Sequence, residues 1–340
     1  MIRHTPELTI APVLMHRGYS FCKRVSMKPY ISIAEQISLL ESRNIIITNY
    51  KFAHRVLEYE NYYCVINGYK SPFITSTNPD VYKTGTLFNE IVALYTFDRR
   101  LREIIFPELL RIEHVIKSQI INVFSAYHGN NHMSYLRPES FNSKNFENFK
   151  RVNGLIFDLI KTIEVQSKKH EAIAHYHNAY GFVPLWVLSK IMTFGKVNSF
   201  YGIMLNKEKE QVASKFGLTP KVLKSLIDYL ARFRNKCAHG ERLYASSRDA
   251  FKPRPIPELP SHKELSIPHN QKGYKYGTTD ILALLLAMKP FLQNARFSHL
   301  VGKVDYALNQ KLRRRINKES FDYVANTMGL IGDWKKIKDM

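Results

Sequence analysis

FNEIVALYTFDRRLREIIFPELLRIEHVIKSQIINVFSAY, residues 88–127, decides the fold. Leu94, Leu101, Ile105, Leu109, Ile112, Ile116, Ile120 and Val123 recur at intervals of three, four and seven. That is the period of one buried helix face, not of a strand. The stretch therefore predicts a single very long helix from about Phe88 to Tyr127. Pro107 removes a backbone donor and crowds the preceding turn, so a kink is expected there, and Gly129 is the expected stop.

The same period extends outward in both directions. Ser32 and Glu35 have the spacing of a capping box, and Ile33, Ile37 and Leu40 follow on one face. A tyrosine-rich stretch, Asn61 to Phe73, reads as a helix end and turn. Beyond Gly129, helical pattern covers about 145–180 and stops at Gly181, and Pro184 opens another helix at Leu185-Trp186-Val187. Thr219-Pro220 is a cap followed by proline at the first helical position, leading into Leu223, Leu226, Ile227, Leu230 and Phe233. The pattern collapses between about Ala245 and Tyr276, where Pro253, Pro255, Pro257, Pro260 and Pro268 predict a long irregular loop. Thr279-Asp280 then caps a strongly apolar helix, and smaller helices follow. No alternating strand run or internal repeat stands out. The expected class is all-α: a helical region over 1–85, a core over 86–245, a Pro-rich loop over 246–277, and C-terminal helices over 278–340 that complete the bundle.

Composition sets the partners. Hydrophobic residues make up 45% of the 340, with 20 Tyr and 20 Phe, which is enough for a large core and argues against disorder. Fifty Lys and Arg against 29 Asp and Glu leave a formal net charge of +21. Such an excess points to a polyanion, either nucleic acid or an anionic membrane face, with a merely basic surface as the plain alternative. Cys22, Cys64 and Cys237 are too few and too scattered for a disulfide framework or a zinc pair, which fits a reducing compartment. The short apolar run at Leu14-Met15 follows Glu7 and Pro12, unlike a secretory signal. The run from Ile281 to Met288 is far below the ~20 residues that span a bilayer. A cytoplasmic protein with no membrane partner is expected.

The chemistry concentrates at Arg234-Asn235-Lys236-Cys237-Ala238-His239-Gly240. Arg234 lies four after Leu230 and seven after Ile227, so it continues the buried stripe. A guanidinium there needs an anionic or hydrogen-bonding partner, and a carboxylate at the core edge is the structural alternative to a functional role. His239 is about 140° around an ideal helix from Arg234. Gly240 suits the left-handed position past a helix end, which would leave His239 on the last turn, free to swing toward Arg234. Asn235 would orient the imidazole or bind a phosphate oxygen. A histidine moves protons near neutral pH, and an arginine stabilises the charge of a pentavalent phosphorus. The set suits RNA phosphodiester cleavage by the substrate's own 2′-hydroxyl, with no metal and no other cofactor.

These residues resemble the R-N-x-x-x-H signature of HEPN domains, helical modules that are often metal-independent ribonucleases. The wider chain resembles the D/F branch of the bacterial abortive-infection (Abi) family. The segments that carry the likeness are Lys28-Pro29 with Ser32 to Gln36, Asn61 to Tyr63 with Gly68-Tyr69, and Phe97 to Arg102 with Arg111 to Glu113. Further on they are Pro184 to Val187 with Phe194-Gly195, Arg234-Asn235 with Cys237 to His239, Arg242-Leu243, and Met328-Gly329 with Trp334. Gly240 departs from the pattern, standing where many relatives would carry another histidine or polar residue. The resemblance implies a HEPN-like bundle with an N-terminal helical extension. It also implies phage defence through an endoribonuclease in which Arg234, Asn235 and His239 are catalytic, with a bound noncoding RNA as its regulator. The alternative is an RNA-binding or sensing module that grips RNA through the same residues without cutting it. A DNA-binding regulator is a third reading, for which no recognition-helix arrangement stands out.

Other residues have two readings each. Glu113 and Lys117 are either an intrahelical pair or support for the motif's Arg or His, and Asp98 with Arg102 poses the same choice. Arg313, Arg314 and Arg315 with Lys311 are expected to contact an RNA backbone, as Lys335, Lys336 and Lys338 could, unless they form a solvated face. Tyr62, Tyr63 and Tyr69 either stack on unpaired bases or pack the N-terminal helices on the core. His170, His175 and His177, or His128 and His132, lack the company of a zinc site. Each chain has one histidine and one arginine in the motif, whereas ribose phosphodiester cleavage benefits from both an acid and a base. A homodimer with two-fold symmetry at His239 would supply both.

Overall fold

Ser32 caps the first described helix: its hydroxyl accepts from the Glu35 amide at 3.3 Å while the Glu35 carboxylate accepts from the Ser32 amide at 2.6 Å, closing the expected box at the head of α1 (Ile33–Ser42). The computed structural model describes residues 30–129, 132–249, 253–271 and 273–340. Leu14-Met15, Cys22 and Lys28-Pro29 lie outside them. Behind an Asn49 cap comes α2 (Tyr50–Glu60). The tyrosine-rich stretch does end that helix, at Asn61, but then winds a π-helical turn over Tyr63–Asn67. A hairpin follows, β1 (Ile74–Thr77) against β2 (Asp80–Tyr82), antiparallel and with an irregularity between Ile74 and Ser76. Strands this short show no alternation, which is why the sequence did not announce them.

The long stretch is one helix, α3 (Phe88–His128), capped by Gly129 at φ 81°. It runs through Pro107 without interruption. Ile104, Ile105, Leu109 and Ile112 are buried on either side, and this packing holds the helix across the one donor that proline removes. After α4 (His132–Tyr135), the pattern over 145–180 divides into α5 (Phe146–Gln166) and α6 (Glu171–Tyr180) instead of forming one helix. Then come α7 (Leu185–Leu188), α8 (Phe194–Ile203), α9 (Asn206–Ser214) and α10 (Pro220–Ala238). α3 and α10 pack against each other, and α7, α8 and α9 also lie on α3. The fold is all-α, with strands only as minor hairpins.

The Pro-rich segment is more ordered than its composition predicts. It contains α11 (Pro260–Glu264) and a second small hairpin, β3 (His269–Asn270) with β4 (Gly273–Tyr274). Ile256, Leu259 and Ile267 anchor it in the core, and the fully buried His262 meets the Gly277 carbonyl at 2.8 Å. Every residue of α12 (Ile281–Met288) is buried, and it packs on α10. α13 (Asn294–Asp305) and a π-helical run over Tyr306–Leu312 lean on α3, followed by α14 (Lys318–Met328). One contiguous apolar core joins α1 through the C-terminal turn.

Asp280 caps α12, accepting from the Ala283 amide at 2.9 Å and the Gly277 amide at 2.8 Å. Gly329, at φ 69°, approaches so closely that a Cβ would stand 2.6 Å from its carboxylate. Burial pushes the Asp280 carboxyl up from 3.8 to about 6. The folded chain thus holds this proton more tightly than the unfolded chain. The contribution is complete below about pH 4 and is lost as pH rises through about 6. Asp280→Ser keeps a short cap without the titration. Urea unfolding at a series of pH values should show the slope of stability between pH 4 and 6 becoming less negative by up to about 1.4 kcal/mol per pH unit. An unchanged slope would contradict the assignment.

Candidate functional site

α10 carries the motif and is fixed on its inner side. Leu223, Leu226, Ile227, Leu230 and Phe233 are all fully buried. At its end the Gly240 amide donates to the Cys237 carbonyl at 3.2 Å and the Glu241 amide to the Lys236 carbonyl at 3.0 Å. Gly240 takes the left-handed φ of 67° that this paired closure requires. His239 is the cap residue, its amide donating to the Asn235 carbonyl at 3.0 Å. Its ring is exposed and is held by none of the described residues.

Arg234 points the other way. Its Nε donates to Glu113 Oε2 at 2.9 Å, and Lys117 Nζ lies 2.8 Å from Glu113 Oε1. Both readings of Glu113 therefore hold at once: it pairs along α3 with Lys117 and across to α10 with Arg234. Lys117 also donates to the Met192 carbonyl. Asn235 Oδ1 stands 3.5 Å from Arg234 Nη1, at the outer limit of a hydrogen bond. The structure thus brings together Arg234, Asn235, Glu113 and Lys117. No hydrogen bond joins His239 to Arg234 among the described residues, so the swing of the imidazole toward the guanidinium is not part of this conformation. Burial pushes the Cys237 thiol up to about 12, which removes it as a nucleophile at neutral pH.

The residue that sequence reasoning undervalued is Asp98. It is completely buried in α3 and pairs with Arg102, as one of its two readings had it. It also accepts from the Tyr69 hydroxyl at 2.7 Å, the Leu243 amide at 3.0 Å and the Tyr244 amide at 2.7 Å. Arg102 in turn donates to the Glu241 carbonyl at 3.0 Å. Burial pushes the Asp98 carboxyl upward, against Arg102, Tyr69 and the two amides, which all favour the charged form. The signal was present in the sequence: Asp98 lies four after Leu94 and three before Leu101, on the apolar stripe.

Beside the exposed face of α10 lies a cleft of about 830 Å³. Asn235, Arg232, Lys236 and Arg242 line it, with Tyr63 and Asn67 from the turn after α2. Arg242 donates to the Gly68 carbonyl and to Asp249, both at 2.8 Å, and Lys236 pairs with the other oxygen of Asp249. Lys236 and Arg242 stood in the quoted segments without a role and Asp249 was not singled out, because their convergence comes from the chain's return after Gly240.

The remaining candidates are dispersed. Lys311 sits over the Tyr306 ring at 5.3 Å and Arg313 over Phe321 at 5.4 Å, while Arg314 donates to Gln310 at 2.9 Å. Arg315 lines a groove with Arg99 on α3. All four are exposed and stand apart from the motif's own contacts. Tyr69 is buried in the core, Tyr62 is half-buried, and Tyr63 is 72% exposed at the cleft. Among the described residues no group of three His, Cys, Asp or Glu is arranged to hold a metal ion. His128 instead meets the buried Glu208 at 2.5 Å, and His132 accepts from the Val183 amide at 3.3 Å. No described helix is long and apolar enough to cross a membrane.

A family model described as Abi-like protein matches residues 55–245, from α2 to just past the motif. No curated protein and no solved structure matches the chain.

The Asp98 cluster gives a direct test. Asp98→Ala leaves Arg102 uncompensated and two buried amides without acceptors, which should cost about 3–5 kcal/mol in denaturant unfolding. Amide exchange at Leu243 and Tyr244 should accelerate with it. An unchanged midpoint would show that the cluster does not hold the segment.

Proposed function

From the premise that this chain belongs to the Abi-like protein family, and so to abortive-infection phage defence, we propose that it acts as a metal-independent endoribonuclease of HEPN type. The observation that carries the reading is the division of labour at the end of α10. Glu113 fixes Arg234, while His239 stays exposed at the helix end and Asn235 in a cleft lined by Arg232, Lys236 and Arg242 together with Asp228, Glu241 and Asp249.

His239 takes the proton from the ribose 2′-hydroxyl, and that oxygen attacks the adjacent phosphorus. Arg234 stabilises the added negative charge, its geometry preset by Glu113. Asn235 holds a phosphate oxygen or the imidazole. The bond to the 5′-oxygen breaks and that oxygen takes up a proton, leaving 2′,3′-cyclic phosphate and 5′-hydroxyl ends. One histidine cannot serve both oxygens at once, so the second comes from the same patch of a partner chain across a two-fold axis. The exposure of His239 and Asn235 supports such a junction. Lys311, Arg313, Arg314 and Arg315 bind a length of RNA backbone away from the cut, the place for a regulatory noncoding RNA. The reaction takes place in the cytoplasm, where that RNA is found.

A second reading follows from the Glu113 contact: an arginine committed to a carboxylate and unjoined to His239 fits a module that grips RNA without cutting it. Labelled RNA incubated with the protein in EDTA separates the two. Cleavage with cyclic phosphate ends, lost by 10²-fold or more in His239→Ala, is expected. Tight, salt-sensitive binding without cleavage would favour the gripping module instead.

The composite site has its own test. Excess His239→Ala chain added to wild type, under conditions of subunit exchange, should depress activity more than dilution alone. Activity that tracks only the wild-type fraction, with a monomeric mass in light scattering, would exclude the shared site.

A further inference from the structure

α5 is held to the protein by one face, on which Val152, Leu155, Ile156, Leu159 and Ile163 are buried, and it packs on α8 and α6. Roughly a quarter-turn round the helix lies a second apolar stripe that no described residue covers. Phe146 and Phe157 are 78% and 67% exposed, and Phe149 and Ile160 about half. With the half-buried Asn153 between them, these residues fall within an arc of about 80°. Single exposed phenylalanines are ordinary, but a line of them marks an interaction site. Taking about 200 Å² for a whole aromatic side chain, the three leave roughly 400 Å² of apolar surface in water.

The stripe reads the same in both directions. Phe146, Phe149, Asn153, Phe157 and Ile160 are separated by 3, 4, 4 and 3 residues, whose mean of 3.5 is the period of a seam between two helices. A second α5 laid antiparallel across a two-fold axis at Asn153 sets Phe149 opposite the partner's Phe157, and Phe146 opposite the partner's Ile160. The two Asn153 amides meet at the axis, where each offers the other a donor and an acceptor. The charges on the flank away from the core obey the same symmetry. Glu147 and Lys150 come level, within about 3 Å, with the partner's Lys161 and Asp158. Both pairings are of opposite sign, whereas a parallel pair would set each charge beside its own copy. Among the described residues none of these four side chains has an ion-pair partner in its own chain. An RNA or an anionic lipid surface would call for cations beside the rings, yet this strongly basic chain sets two acids among them.

We propose that α5 is a self-association surface, through which two copies of this chain pair antiparallel with Asn153 on the two-fold axis. The phenylalanines alone bring about 800 Å² to the pair, and Ile160 with the flanking charges carries it past the roughly 1,000 Å² of a specific interface. This junction is distinct from the one at His239. A Cβ at Gly202 of α8 would stand 3.1 Å from both Arg151 of α5 and Lys224 of α10, so Asn153 is level with the start of α10. Lys196 Nζ donates to Thr162 at 2.7 Å and Asn198 pairs with Asp228, so α5 and α10 both run antiparallel to α8. His239 lies fifteen residues beyond Lys224, about 22 Å by helical rise. An axis at Asn153 therefore sends the two motifs to opposite ends of the pair. A chain that uses both junctions assembles beyond a dimer. The inference does not rest on the ribonuclease reading.

The test is sedimentation velocity of the full-length chain over a range of concentrations. Phe157→Glu should weaken one association step by about tenfold or more. Its melting temperature should hold, because the Phe157 ring is in water. Glu147→Lys and Lys161→Glu should each weaken the step several-fold, and the double variant, with opposite signs restored, should recover it. Wild type that stays monomeric, or an association indifferent to Phe157→Glu, overturns the proposal. So does a double variant as weak as its two changes combined, because the antiparallel register requires rescue. Monomers that bind anionic lipid vesicles through Phe157 would assign the stripe to a membrane and overturn self-pairing. Mass does not depend on cleavage, so a chain that associates as described and never cuts RNA overturns the ribonuclease and spares the pairing. Where wild type cuts, the effect of added His239→Ala chain should persist in a Phe157→Glu background. Its loss there would make the two junctions one and overturn the axis at Asn153.

Discussion

The buried carboxylate of Asp98 takes bonds from Tyr69, Arg102 and the amides of Leu243 and Tyr244, and so ties two distant parts of the chain to one point on α3. A carboxylate in that position is costly unless every lone pair is met. Meeting them requires the chain to turn back immediately after α10. Gly240 permits the turn, and Arg102 seals it by holding the Glu241 carbonyl. The direction in which α10 ends, and with it the position of His239, follows from satisfying this one group.

Glu113 repeats the device fifteen residues further along α3, about 22 Å by helical rise. There the acid meets Arg234, inside α10, where Asp98 meets the chain just beyond it. Two attachments on one helix leave α10 little freedom to slide or rotate, and the fully buried α12 supports its other side. The motif therefore sits on rigid elements, and only its outward groups are free to meet a ligand. Such preorganisation is what electrostatic stabilisation of a transition state requires.

Local rules made the helices legible. Ser32 with Glu35, Thr219 with Pro220, and Asp280 cap where their chemistry says they should, and the period of three and four in α3 needed no tertiary information. What escaped depends on distance in sequence. The hairpin at Ile74–Tyr82 is too short to alternate, and the Pro-rich segment is ordered by burial of Ile256, Leu259, His262 and Ile267 in a core built by other elements. Arg234, Asn235 and His239 were found from spacing, and the Glu113 contact was one of two readings. Asp98 with Arg102 looked like an ordinary pair one turn apart, because the amides that give it meaning lie some 145 residues away.

The charge of the chain acquires a direction from the same arrangement. Asp80, Glu90, Asp98, Glu113, Glu208 and Asp280 are buried, against Lys236 as the buried lysine or arginine among the described residues. The interior thus consumes acids to fasten helices and turns, and the surface is left more basic than the net value of +21 conveys. A surface of that kind draws any polyanion and distinguishes none of them, since phosphates look alike. Discrimination has to come from places where the protein offers something other than positive charge. Among the described residues the anchored end of α10 is such a place, where the exposed Asn235 and His239 project from a helix end held by Glu113 and by the turn after Gly240.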